Sequence, residues 1–138
     1  MTLADLQAIF PDATDKTWHL HPNGGGWVAN SATVEDTAYI GSSAQVSGNA
    51  RVSGDAQVSG DARVYGDAWV SSPLYIQPSA HPISVSSRTE VSIGCKRHSI
   101  EWWLEHYAEV GAENGYTAAQ IAEYGALLQA VAAWMAAL

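Results

Sequence analysis

The chain has 138 residues, nearly half of them apolar, which is enough for one domain or two small ones sharing a core. It has no run of eighteen apolar residues, which argues against a membrane span, and its formal net charge of −8 argues against direct binding to nucleic acid. Its single cysteine, Cys95, excludes an intrachain disulfide and agrees with a reducing compartment. The opening MTLADLQAIF has acid where a secretion signal needs base, so the expected location is cytoplasmic.

Residues 1–26 read as a helix and loop cap. Thr2 to Phe10 carries Leu3, Leu6, Ile9 and Phe10 at helical spacing, and Pro11 ends it. His19 and His21 follow in an extended stretch before Gly24-Gly25-Gly26. Two histidines two apart face the same side of a strand and make half of a metal site, but no third ligand is evident. The expectation is ordinary surface or packing histidines and no bound metal.

Residues 27–70 are periodic. From Val28 the chain reads VANSAT, VEDTAY, IGSSAQ, VSGNAR, VSGDAQ, VSGDAR, VYGDAW and then Val70. A β-branched residue recurs every six positions, and alanine follows each of the first seven by four. No helix has that period and a simple strand alternates by two, so the pattern predicts a coil of three short strands, one hexad per face. The branched residue points inward, alanine fills the corner, and the Gly-Asp and Gly-Asn pairs turn the chain.

An eighteen-residue coil stacks Thr33, Arg51 and Trp69 in one outward column, Tyr39 with Gln57 in a second, and Gln45 with Arg63 in the third. Arg51 beside Trp69 permits a cation–π contact. Arg51, Arg63, Tyr65 and Trp69 are the candidate partner surface, since arginine and aromatic side chains dominate binding energy. A plain oligomer contact competes with that reading.

Residues 71–97 contain Pro73, Pro78 and Pro82 and three short apolar runs: Leu74 to Ile76, Ile83 to Val85 and Thr89 to Ile93. These read as strands of a small sheet closing the coil. In residues 98–138, Ser99 caps a helix that ends near Gly115. Thr117 and Gln120 have capping-box spacing at the start of a second helix. That helix carries Leu128, Val131, Trp134, Met135 and Leu138. The stripe serves either the hairpin's own core or a face between copies in a dimer or trimer.

Cys95-Lys96-Arg97-His98 with Glu101 places a thiol near an imidazole, but a lone Cys-x-x-His is a weak motif, and a buried thiol at a sheet-to-helix junction is the preferred account. No catalytic residue or cofactor is expected, and the chain reads as a binding protein rather than an enzyme.

The hexads resemble the left-handed parallel β-helix of the hexapeptide-repeat superfamily. The resemblance implies a mainly β fold with α: a short left-handed coil of about two turns, then short strands and a C-terminal helical hairpin. Acyltransferases of that superfamily use a histidine at a subunit groove, and its carbonic-anhydrase relatives use several histidines. Residues 28–70 have none, so a transferase is the weakest alternative. The repeat run, the segment HPISVSSRTEVSIGCKRHSIEWWLEHY and the final GYTAAQIAEYG together resemble small hexapeptide-repeat proteins of bacteriophages and prophages. That resemblance implies a phage accessory protein made inside a bacterial host; because small acidic phage proteins without an enzyme site often act by binding, the expected function is inhibition of a host defence complex by contact, as anti-CRISPR proteins do. One alternative is an oligomeric sponge for a nucleotide immune signal, with Arg51, Arg63, Arg88, Lys96 and Arg97 as phosphate-binding candidates. The other is a structural or assembly module of the virion.

Overall fold

The computed structural model describes residues 1–138. A helix, α1 (Leu3–Ile9), and a strand, β1 (Trp18–Leu20), precede the periodic region. That region folds into β2 (Trp27–Ala29), β3 (Thr33–Val34), β4 (Tyr39–Ile40), β5 (Gln45–Val46), β6 (Arg51–Val52), β7 (Gln57–Val58), β8 (Arg63–Val64) and β9 (Ala68–Trp69). Strands three apart pair in parallel, giving β2-β5-β8, β3-β6-β9 and β4-β7. Val28 lies beside Val46 and Val46 beside Val64, while Ile40 lies beside Val58. These branched side chains are buried, as are the corner residues Ala38, Ala44, Ala50, Ala56 and Ala62. From β4 to β8 the hexad thus places one branched residue inside each strand and one methyl at each corner.

The period breaks at the last hexad. Arg51 pairs with Ala68 and Val52 with Trp69, a spacing one residue short of eighteen. Asp67 adopts a left-handed φ of 68°, so the corner uses one residue fewer and the strand starts early. Trp69 therefore takes the inward position expected of Val70. It is 2 % exposed, whereas Val70 is 79 % exposed. The expected outward column of Thr33, Arg51 and Trp69 does not form. Trp69 instead donates its indole N–H to Gly66 O (2.9 Å) and stacks on Trp134 at 6.3 Å.

Each end of the coil has open strand edges, and each is satisfied differently. At the first edge, Gly26 N donates to Ile40 O (3.0 Å) and Ile40 N to Asn23 O (3.0 Å). Gly24 and Gly26 permit this approach, since a Cβ on Gly24 would lie 2.2 Å from Ile40 O and one on Gly26 2.3 Å from Ile40 Cγ2. β1 pairs antiparallel with β2, and α1, capped by Thr2 and Asp5, buries Leu6 against Ala13, Trp18, Trp27 and Ala29. The backbone N–H of Thr2 donates to the Asp5 carboxylate and holds its pKa below the usual value.

The other edge meets a four-stranded antiparallel sheet of β10 (Tyr75–Ile76), β11 (Ile83–Val85), β12 (Glu90–Ile93) and β13 (Lys96–Ser99). The unpaired amides of the coil find serine and tyrosine oxygens. Gln57 N donates to Ser72 Oγ (2.9 Å), Asp61 N to the Tyr75 hydroxyl (3.2 Å), Arg63 N to Ser84 Oγ (3.0 Å) and Tyr65 N to Ser86 O (2.7 Å). Buried Ser84 is thus explained, because an apolar side chain there would strand the Arg63 amide, while buried Ser86 and Ser92 satisfy one another through a 2.7 Å hydrogen bond between their hydroxyls. The fourth strand falls where the sequence reading placed a junction: Lys96–Ser99 pairs with β12 before the helix begins.

Two helices, α2 (Ile100–Glu113) and α3 (Ala118–Ala136), cover the remaining side. Ser99 caps the first, and Thr117 with Gln120 forms the capping box of the second. They approach closely at Gly111 and Gly125, where a Cβ would meet Ile121 at 3.1 Å and the Tyr107 hydroxyl at 2.7 Å respectively. Leu128, Val131 and Met135 are buried in one cluster that also holds Val85, Val91, Trp103 and the coil residues. The stripe considered for contact between copies is therefore spent on the chain's own core; of its members Trp134 is half-buried against Trp69 and only Leu138 is exposed. No helix is long and apolar enough to cross a membrane.

Candidate binding groove

The four residues of the expected partner surface separate into two groups. Arg51 is exposed on β6 and Trp69 is internal, so neither joins the other two. Arg63 points outward from β8, and Tyr65, 40 % exposed, follows it. Across from them stands Arg97 on β13, whose guanidinium lies 3.8 Å from the centre of the Tyr65 ring. This is a cation–π contact between residues distant in sequence, and it replaces the one expected between Arg51 and Trp69. Arg97 Nε also lies 3.8 Å from a Glu90 oxygen.

The groove between α1 and the β12–β13 hairpin contains both guanidiniums, the Tyr65 ring, the Ser47, Ser86 and Ser92 positions, and the apolar Ile9 and Phe10. Its open space is about 650 Å³. Arg63 has no carboxylate partner within the chain, the Arg97–Glu90 contact being the one ion pair. Five guanidinium donors in a planar fork are thus available to an incoming carboxylate or phosphate. Of the other phosphate-binding candidates, Arg88 Nη2 donates to Ala68 O (3.4 Å), and Lys96 lies at a second cavity on the other side of the hairpin.

Cys95 corrects another expectation. It is exposed in the β12–β13 turn rather than buried at a sheet-to-helix junction. His98 is held in an aromatic stack, 3.6 Å from Trp102 and edge-on to Trp103, and His106 also stacks on Trp102 at 4.3 Å. Since an exposed turn thiol contributes little packing, Cys95→Ser is expected to change stability by less than about 0.5 kcal/mol, read by urea unfolding. A loss above 1 kcal/mol would contradict this placement.

His19 and His21 are not brought to a common site. His19 Nδ1 shares a hydrogen bond with Asn30 Oδ1 (2.7 Å), while buried His21 donates from Nε2 to Ala38 O (2.8 Å).

The second cavity went unread in the sequence. It joins His81, Trp103, Tyr107, Tyr116 and Tyr124 with Lys96, residues scattered over four segments. Tyr124 donates to His81 O, and burial followed by the neighbouring Tyr116 raises its pKa well above the ordinary phenol value. The Ser79 hydroxyl and backbone N–H both donate to Glu123, pinning this loop to α3 and holding that carboxyl below its usual pKa.

The family model of the YdcK beta solenoid repeat matches residues 44–59 and 56–72. The chain carries β-solenoid repeats. The match covers β5 to β9, the strands that bear Arg63 and the Tyr65 side of the groove, and leaves the flanking helices and the second sheet outside it. No curated protein and no solved structure is significantly similar to the chain.

Proposed function

We propose that the solenoid chain is a phage accessory binding protein that inhibits a bacterial defence complex by protein–protein contact in the host cytoplasm, using the Arg63–Tyr65–Arg97 groove. The supporting observation is the meeting of two guanidiniums and an exposed tyrosine ring in one groove of a chain with only six lysines and arginines. Concentrating scarce cations beside an aromatic ring suits an acidic side chain of a partner, and arginine and tyrosine are among the side chains enriched where contact energy concentrates. The left-handed sense and the count of about two turns belong to the same reading, on the resemblance of the hexads.

The test is isolation of the tagged chain from a defence-carrying bacterium, with mass spectrometry of what accompanies it. Subunits of an immune complex in stoichiometric amount are expected with the wild type. The variant Arg63→Glu/Arg97→Glu, folded by its thermal melt, is expected to lose about a hundredfold in affinity, about 2.7 kcal/mol. Equal capture by both, or capture by neither, would overturn the proposal.

The same groove favours one second reading, a sponge for a nucleotide signal, because paired arginines and a ring suit a phosphate and a base. That reading expects a nucleotide released from the purified wild type on denaturation and absent from the variant.

A further inference from the structure

We propose that Asn23 is a site of self-modification: it deamidates spontaneously, and the loop that covers the first edge of the solenoid then loosens. The chain has four asparagines, Asn23, Asn30, Asn49 and Asn114, and of these Asn23 and Asn114 precede glycine. Deamidation requires a main-chain nitrogen to reach the side-chain amide of the residue before it. A following glycine puts no side chain in the way, whereas Ser31 and Ala50 crowd the approach to Asn30 and Asn49.

The backbone nitrogen of Gly24 gives up its proton to hydroxide and attacks Asn23 Cγ. The Cγ–Nδ2 bond breaks, ammonia leaves, and a succinimide ring remains. Water then opens the ring at either carbonyl. Opening at Cγ gives aspartate. Opening at the main-chain carbon gives isoaspartate, in which the chain runs through Cβ and the former carbonyl ends as a carboxylate. Water is the one reactant consumed.

The two Asn-Gly pairs are held differently. Asn114 caps α2, where its Nδ2 donates to Val110 O (2.7 Å) and the Gly115 N–H donates to Ala112 O (3.2 Å). Leaving group and attacking nitrogen are both occupied there. At Asn23 the attacking nitrogen is free. His21 O accepts from Gly25 N (3.1 Å), which passes over Gly24, and the Gly24 N–H has no acceptor within the chain. Asn23 is exposed, and its Nδ2 reaches Thr37 O at 3.3 Å, a long contact. The firmer hold on Asn114 slows its ring closure about tenfold relative to Asn23.

The product does not fit where it forms. Asn23 O accepts the Ile40 N–H, and Gly26 N donates to Ile40 O. The close approach of Gly24 and Gly26 to Ile40 leaves no space even for a Cβ. Isoaspartate lengthens this stretch by one backbone carbon and turns the acceptor of the Ile40 N–H into a charged branch. That carboxylate also enters the cleft that Asn23 shares with Asp55, where like charges repel. The loop lifts, and the outer edge of β4 is left open. Aspartate adds the charge but keeps the backbone length.

Peptide mapping by mass spectrometry of the full chain, incubated folded at mildly alkaline pH, tests the site. Asn23 is expected to convert about tenfold faster than Asn114. In the urea-unfolded chain, where neither pair is held, the two are expected to convert alike. The isoaspartate form is expected to melt below both the fresh chain and the variant Asn23→Asp. Asn23→Gln, whose longer side chain closes a ring slowly, is expected to keep its melt through the same incubation. Asn114 converting as fast as Asn23 in the folded chain would overturn the proposal, as would Asn23 staying intact while it converts in urea. So would an isoaspartate form that melts no lower than Asn23→Asp, or an equal loss on incubation in Asn23→Gln.

Discussion

Replacing Trp69 by alanine is expected to destabilise the chain by about 3–5 kcal/mol, the range for emptying a buried aromatic site. The indole is internal, bonds to Gly66 O and stacks on Trp134, so its loss leaves a void where the last strand meets α3. For a chain of this length that corresponds to a fall of roughly 10–20 °C in Tm. The companion substitution Val70→Ala is expected to change stability by less than about 0.5 kcal/mol, because Val70 faces water. The pair decides between two phases of the last hexad. In an unbroken repeat Val70 would be the costly position and Trp69 the tolerant one, and urea unfolding of both variants would return the opposite order.

Gly48→Ala is expected to cost about 2–5 kcal/mol, and Gly54→Ala only about 1–2. Both glycines have a φ of 62°, so each alanine bears the left-handed penalty of about 1–2 kcal/mol. Their surroundings differ. A Cβ on Gly48 would stand 2.2 Å from Tyr65 O, a backbone atom of the next turn, and relieving that overlap adds about 1–3 kcal/mol. At Gly54 the nearest atom is Val70 O at 3.7 Å, an ordinary contact. Because Tyr65 belongs to the groove, Gly48→Ala is also expected to weaken partner binding, while Gly54→Ala is not. Equal unfolding midpoints for the two variants would show that the turns do not stack as described.

Much of the fold is written in local patterns. The strands from Val28 to Val64 follow from a six-residue period that nothing else produces, and the helices from caps that each lie within four residues. What failed was whatever depends on distant chain. Trp69 looked external because Asp67 gives no sign in the sequence that it turns left-handed, and its burial depends on Trp134. Lys96–Ser99 carries no strand signal, and pairing with β12 decides it. The stripe of Leu128, Val131 and Met135 announces a buried face but not what buries it. The same limit governs the sites: Arg63 and Tyr65 were recognisable by type, but Arg97 reaches them only through a sheet that folds back over the end of the solenoid. The second cavity gathers residues from four segments, none of which has a motif of its own.

The proposed role of the groove is to block host defence. The direct measurement is the plating efficiency of a targeted phage on defence-carrying bacteria that express either the wild type or Arg63→Glu/Arg97→Glu at equal folded levels. The wild type is expected to restore plaques and the variant is not. Equal restoration by both, or none by the wild type, would contradict it.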